Sequence, residues 1–289
     1  MKHISFSAII IAFFMMGCVG EKPLSEIEAT DEEAIYNVMF IDNYRLTTLD
    51  LISSDVPDTL EFIADPDPEN PLYWHVIEET DEDFVVDISN DPVDSPVGPV
   101  YSASVNYVKT YNGTFEVVRY NEDTDEIERY SKDFVLKGTR NAECQQWGLS
   151  NQVRRGWLLT SISDVRFFTP QGDYHFLDDF HYNTSTDSLL YFTYGTYSPD
   201  ELVHFELEES VIVHYQLIEN SDLLLMYVPI NDFGYQLVIP QPDSQGGFEV
   251  IFNMPSRKIY GQLRFLVLNA GAFYDDYRAS GYSYNYSTR

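Results

Sequence analysis

Cysteine is almost missing from this chain of 289 residues, which holds two. Cys18 stands near the N-terminus and Cys144 alone in the middle, so with Cys18 engaged elsewhere no internal disulfide can form, and folding rests on packing. Basic residues are also scarce, 17 Lys and Arg against 47 Asp and Glu, for a net charge of -30. A chain so acidic lacks the basic stripe that phosphate backbones require, which excludes nucleic acid as a partner. No apolar run reaches the ~20 residues that span a bilayer; the longest lies at residues 4–16. Signatures of the common enzyme classes are absent too: no G-x-S-x-G, no S-x-x-K, no P-loop and no G-x-G-x-x-G occurs. No cofactor is expected.

The charge that is present is unevenly placed. Residues 21–100 hold 22 acids against Lys22 and Arg45, residues 101–170 hold nine of each sign, and residues 171–289 hold 16 acids against five bases. Aromatic residues make up 15% of the chain, with 22 Tyr, a composition suited to β-structure with large half-buried faces.

The first twenty residues form a unit of their own. Lys2 gives a positive start, residues 4–16 are almost wholly apolar, and Gly17-Cys18 ends the run. This pattern fits the apolar region of a secretory signal. Its end, Met15-Met16-Gly17-Cys18, resembles the lipobox of bacterial lipoproteins. The resemblance implies a signal peptide over 1–17, acylation of Cys18 and a tether over 18–29. It also implies a location at the cell membrane or outer membrane, facing the periplasm or the exterior. The membrane, reached through the lipid, is then one partner, with an envelope protein or a glycan as further candidates. Two or more acyl chains, at about 0.8 kcal/mol per buried CH₂, give stable anchoring.

One helix is well signalled. Thr30 with Glu33 three residues later is a capping box, and Ala34, Ile35, Val38, Met39, Ile41 and Leu46 follow at near-helical spacing, which predicts a helix over about 31–50. Residues 50–99 are punctuated by "DPDPENP" and "NDPVDSPVGP", which disfavour long regular elements. From Val100, alternating runs predict three strands, with Asn112-Gly113 as a type I′ hairpin and "NEDTDE" as the next turn. A polar loop that contains Cys144 and a fourth strand in "RRGWLLTSISDVRFF" are expected to follow. One helix followed by long meandering strands, with "KGTRNAECQQWGLSNQVRRGWLLTSIS" at the end, resembles the nuclear transport factor 2-like fold. That resemblance implies an α+β domain over 30–168, an N-terminal helix held in a curved antiparallel sheet. Residues 171–289 show alternating strands about every ten residues, among them "VIVHYQL", "LLLMYVP", "FEVIF" and "LRFLVLNA", the spacing of a β-sandwich. "GGFEVIFNMPSRKIYGQLRFLVLNAG" resembles the last strands of bacterial immunoglobulin-like domains, which implies an all-β immunoglobulin-like sandwich over 171–289. The ending "AFYDDYRASGYSYNY" is then an edge hairpin or tail.

Few residues suggest chemistry. Arg140, Arg154 and Arg155 are the one basic cluster; they could bind an anionic ligand or form ion pairs with the acidic segment before them. The acids of residues 65–70 alternate as calcium loops do, but Asn70 and Val76 replace the glycine and glutamate that such a loop needs. His175, Asp178, Asp179 and His181, with His204 and His214 in later strands, have metal-ligating side chains but read more simply as strand ends with solvated acids. No metal is expected. Cys144 lacks a nearby histidine and reads as a buried thiol. Tyr36, Asp42, Tyr44 and His75 could face the cavity of a nuclear transport factor 2-like cone. Tyr274, Tyr277, Tyr282, Tyr284 and Tyr286 could stack on sugar rings or form a half-buried strand face. Together these features point to a lipid-anchored, non-enzymatic binding module, with an envelope hydrolase or isomerase and a glycan-binding lipoprotein as alternatives.

Overall fold

The computed structural model describes residues 28–51, 72–96, 98–121, 124–171, 177–185, 190–192, 194–217, 223–229, 235–238, 241–242, 247–269 and 277–289. The proposed signal peptide, Cys18, the acidic loop at 65–70, His175 and Tyr274 lie outside these residues, as do the side chains of Asp178 and Asp179.

The helix starts where the sequence places it. The Thr30 side chain accepts from the Glu33 amide at 3.1 Å, and Glu33 reaches back to the Ala29 amide at 2.8 Å, so two otherwise orphaned donors are satisfied. Helix α1 (Asp31–Asn37) then widens into a π-helical segment (Val38–Asp42) and ends in a short helix α2 (Tyr44–Thr47). The 31–50 helix is therefore broken. Polar side chains compete for its carbonyls: Asn43 Nδ2 donates to Val38 O at 2.8 Å and Thr47 Oγ1 to Met39 O at 2.7 Å.

The strands are β1 (Leu72–Ile88), β2 (Val93–Ser95), β3 (Gly98–Asn121), β4 (Glu126–Gln146), β5 (Trp157–Ser163), β6 (Val165–Phe168), β7 (Leu177–Asn183), β8 (Leu190–Tyr191), β9 (Thr196–Tyr197), β10 (Val203–Phe205), β11 (Ser210–Leu217), β12 (Leu223–Pro229), β13 (Tyr235–Val238), β14 (Gln241–Pro242), β15 (Phe248–Asn253), β16 (Tyr260–Leu268) and β17 (Ala279–Thr288). Among the described residues they form a twelve-stranded sheet, with the path β1-β3-β4-β6-β17-β16-β12-β13, and a five-stranded sheet, β14-β15-β11-β7-β8. Pairing is antiparallel except between β10 and β17.

Four expectations change here. Residues 50–99, whose punctuation disfavours long elements, hold the 17-residue strand β1. The Asn112-Gly113 pair is not a hairpin but lies in the middle of β3, opposite a bulge at Ile77/Glu79 of β1. A Cβ on Gly113 would stand 1.9 Å from Val76 O, so this glycine serves close backbone approach rather than a turn. Consequently β3 and β4 are single long strands joined at 122–125, and Cys144 lies on the buried face of β4, not in a loop. The described part of the segment 272–286, from Tyr277 on, does not form an edge. Its strand β17 is central, with β16 along one side and β6 and then β10 along the other. Hydrogen bonds therefore run across the 168/171 join that the sequence suggests as a boundary.

Strand β17 has two different faces. Tyr284 and Tyr286 enter a core with Phe265 of β16, Met226 of β12 and Val211, Val213 and Phe252 of the five-stranded sheet, so the two sheets pack face to face. On its other side Ser283 and Asn285 join a buried polar cluster. The large sheet curls there, so that Tyr107, Phe115 and Leu136 of β3 and β4 share a core with Leu225 and Leu266 of β12 and β16. The helices close the remaining opening through Ile35, Met39 and Leu46, packed on Val105, Ala142, Cys144 and Trp157.

Candidate functional site: a groove beside the first helix

Between β4 and β5 the sequence reads "WGLSNQVRRGW", residues 147–157. Its two glycines meet at the neck of the loop: a Cβ on Gly148 would come 2.9 Å from Gly156 Cα, and Trp147 N donates to Gly156 O at 3.0 Å. Only residues without a side chain let the two backbones approach so closely. Arg154, Arg155 and Gly156 all have positive φ, at 55°, 48° and 79°. For the two arginines the left-handed conformation costs roughly 1–2 kcal/mol each, and such strain persists only where surrounding contacts hold it.

Those contacts come from the helix. Arg154 grips the Asp42 carboxylate with Nε and Nη2 at 2.7 and 2.8 Å, donates its amide to Glu28 Oε2 at 3.0 Å, and forms an ion pair through Nη1 with Glu28. Arg155 Nε and Trp157 Nε1 both donate to Asp31 Oδ1, at 2.7 and 3.0 Å. Burial works to raise Glu28 and Asp31, but hydrogen bonds outweigh it: those from Arg154 and Asn37 to Glu28, and from Arg155 and Trp157 to Asp31, hold both carboxyls below their usual values. The bonds to Asp42, then those to Glu28, push Arg154 above its ordinary value.

The loop and the π-helical segment enclose a groove of about 470 Å³, lined by Val38, Asp42, Asn43, Trp147, Val153, Arg154 and Leu158 among others. Trp147, Leu149, Val153 and Leu158 are each more than half exposed, an apolar grouping of the kind that marks interaction sites. A π-helical turn on one wall and a strained turn on the other are further marks of a working surface. The ionic groups here already satisfy one another, so what the groove offers a partner is apolar contact.

Arg140 does not join Arg154 and Arg155. It lies six residues before Gln146, about 20 Å along β4 at ~3.3 Å per residue, and its side chain is buried. Nη2 donates to Asn285 Oδ1 at 3.0 Å, while Nε and Nη1 have no hydrogen-bond partner among the described residues. Its neighbours fill gaps in the sheet. Strand β17 passes from β6 to β10 beyond Ser283, and there Asn285 N donates to Asp164 Oδ1 at 2.9 Å and Asn285 Nδ2 to Ser163 O at 3.1 Å. Strand β4 passes from β6 to β5 near Asn141, and there Asn141 N donates to Ser163 Oγ at 2.9 Å. The break between β5 and β6 thus completes both neighbours. Gln262 extends the network, accepting from Ser283 Oγ at 3.0 Å and donating to Leu46 O and Thr48 O at the end of α2. Burial raises Asp164 to about 6, against bonds from Asn285 and Gly195 and the charge of Arg140, and burial lowers Arg140 to about 9.

The remaining candidates disperse. His75 is buried against Phe115, Phe134 and Tyr277, whose hydroxyl lies 2.8 Å from its Nε2, whereas Tyr36 and Tyr44 are half exposed and Asp42 pairs with Arg154. Among the described residues these four do not gather at one site. Burial pushes the Cys144 thiol up to about 12, with Glu143 adding to it, which leaves no thiolate at neutral pH. His181 and His214 stack on the outer face of the five-stranded sheet at 5.1 Å, and His204 contacts Ser287. Among the described residues no group of three potential ligands gathers to hold a metal. Tyr277, Tyr284 and Tyr286 are buried and have no open ring face for a sugar.

Sequence reasoning found Arg154 and Arg155 but passed over Trp147 and its loop; the mirrored Trp-Gly…Gly-Trp frame of 147–157 was the available signal. Comparison with family models, with curated proteins and with solved structures finds no match to this chain.

Proposed function

We propose that this protein is a lipid-anchored, extracytoplasmic, non-enzymatic binding module that meets its partner through the groove between the π-helical segment and the 147–158 loop. Acylation of Cys18 would anchor it to the cell membrane or outer membrane. The observation that carries the reading is a juxtaposition: Glu28, at the end of the 18–29 tether, is clamped by Arg154, and Arg154 lines the groove. The groove therefore opens beside the point where the anchor joins the folded part. In the finer fold reading, a nuclear transport factor 2-like unit and an immunoglobulin-like sandwich are fused through β17. The helix packed on β3, β4 and β5 supports the first, and the face-to-face sheets support the second.

The test combines an anchor assay with a site-specific probe. Radiolabelled palmitate should mark the wild-type chain and not Cys18→Ala. A photoreactive residue at position 147 should capture an envelope component in intact cells, while one at Ile251, exposed on the outer face of the five-stranded sheet, should not. Equal capture at both positions, or turnover of an envelope substrate by purified residues 19–289, would overturn the proposal.

A further inference from the structure

The groove face has three properties that bear on what it touches. First, it is close to the anchor. Ten residues of sequence lead from Cys18 to Glu28, and ten residues of chain span at most about 36 Å, so Glu28, bonded to Arg154 of the groove, lies within that distance of the acylated residue. Second, it is apolar: Trp147 and Val153 of the loop and Leu158 at the start of β5 line the groove, and Leu149 stands exposed on the same loop. That loop is tied by Leu149 N to Gln152 Oε1 at 2.9 Å and by Gln152 N to Leu149 O at 2.9 Å. Tryptophan with aliphatic neighbours is the composition that settles at the boundary of headgroups and acyl chains. Third, its ionic groups nearly cancel in a chain of net charge -30: Arg154 and Arg155 pair with Glu28, Asp31 and Asp42, which leaves one negative charge among the five. By contrast, β1 carries Glu78, Glu79, Asp81, Glu82 and Asp83 on an exposed stretch.

We infer that the partner of this face is the bilayer interface itself: the 147–158 loop seats Trp147, Leu149, Val153 and Leu158 in the membrane that holds the lipid anchor. Anionic headgroups repel the acidic remainder of the molecule and act less on this weakly charged face, so charge and apolar contact favour the same orientation. Docking orients the protein, with β1 turned toward solvent. The inference rests on the anchored reading of Cys18.

The acylated full-length protein, in vesicles of phosphatidylethanolamine and phosphatidylglycerol at 3:1, provides the test. Lipids brominated on their acyl chains quench tryptophan that lies at the interface. The difference between wild type and Trp147→Phe isolates Trp147 from Trp74 and Trp157, and most of that difference emission should be lost. Leu149→Asp and Leu158→Asp change exposed positions and should keep the wild-type circular dichroism and melting temperature while restoring the emission. If palmitate labels the chain but brominated lipid leaves Trp147 unquenched, docking is refuted and the anchor stands. A protein adduct at position 147 without quenching refutes docking and gives the face to a protein partner. If palmitate does not label Cys18, the anchored reading and the docking fall together.

Discussion

Arg140 and Arg154 are the same residue type in neighbouring stretches of one chain, and they do opposite work. Arg154 lies at the surface with its donors taken by Asp42 and Glu28, and it holds a strained loop against a helix. Arg140 is buried at the place where β4, the β5/β6 break and β17 meet, and its side chain bonds to Asn285. The first cluster shapes the groove face, the surface proposed to meet a partner. The second joins the N-terminal meander to the C-terminal strands. An arginine in an acidic chain is thus explained by where its counter-charge sits: just before α1 and at the end of the π-helical segment for one, behind a strand break for the other.

Removing the buried arginine should do the most damage. Arg140→Ala empties the space of a fully buried side chain, leaves Asn285 Oδ1 without its donor and removes the cation that helps keep buried Asp164 charged, and urea titration should show a loss of about 2–5 kcal/mol. Arg140→Met combined with Asp164→Asn removes both charges and should recover a large part of that loss; equal losses in the single and double variants would mean that the two groups are not coupled. Asn285→Ala breaks the bonds to Arg140 and to Ser163 O and should cost about 1–3 kcal/mol.

Acid should separate the two clusters by sign. Asp164 has its folded value raised to about 6, above the ordinary 3.8, so the native state binds its proton more tightly than the unfolded chain does. Its charged form is a burden at pH 7 that lifts as pH falls through 6 toward 4, on the order of 2–3 kcal/mol. Glu28 and Asp31 are lowered, so their contribution is full above their ordinary values of about 4.5 and 3.8 and is lost as pH falls below them. Stability measured from pH 7 to 2 should therefore rise and then drop, and Asp164→Asn should abolish the rise alone. The smallest effect belongs to the surface. Arg155→Gly gives up the ion pair with Asp31, worth at most about 1 kcal/mol, and relieves a left-handed residue of comparable cost. Its melting temperature should stay near wild type, and a large drop would show that the loop depends on Arg155 as heavily as the seam depends on Arg140.

How much of this was legible in the sequence depends on what each segment packs against. Thr30 and Glu33 announce the helix start because capping is local, and "LLLMYVP" coincides with β12 because a continuous apolar run between turns describes a strand buried on both faces. The β17 segment reads as a tail because its Ser and Asn positions look solvated, when they face Gln262 and Asp164 inside the protein. Asn112-Gly113 reads as a turn because a glycine required by a neighbouring backbone looks the same in sequence as one required by a hairpin. The groove was hidden for a related reason: it needs the helix and the 147–158 loop together, and their union through Glu28, Asp31 and Asp42 is a long-range fact.

Hydrogen exchange of the acylated protein in vesicles, set against the same protein in detergent, tests the division of labour most directly. The account predicts added protection confined to residues 147–158 in vesicles, with β17 equally slow in both. Unchanged exchange at 147–158, or protection appearing instead on β7 and β11 of the outer sheet, would contradict it.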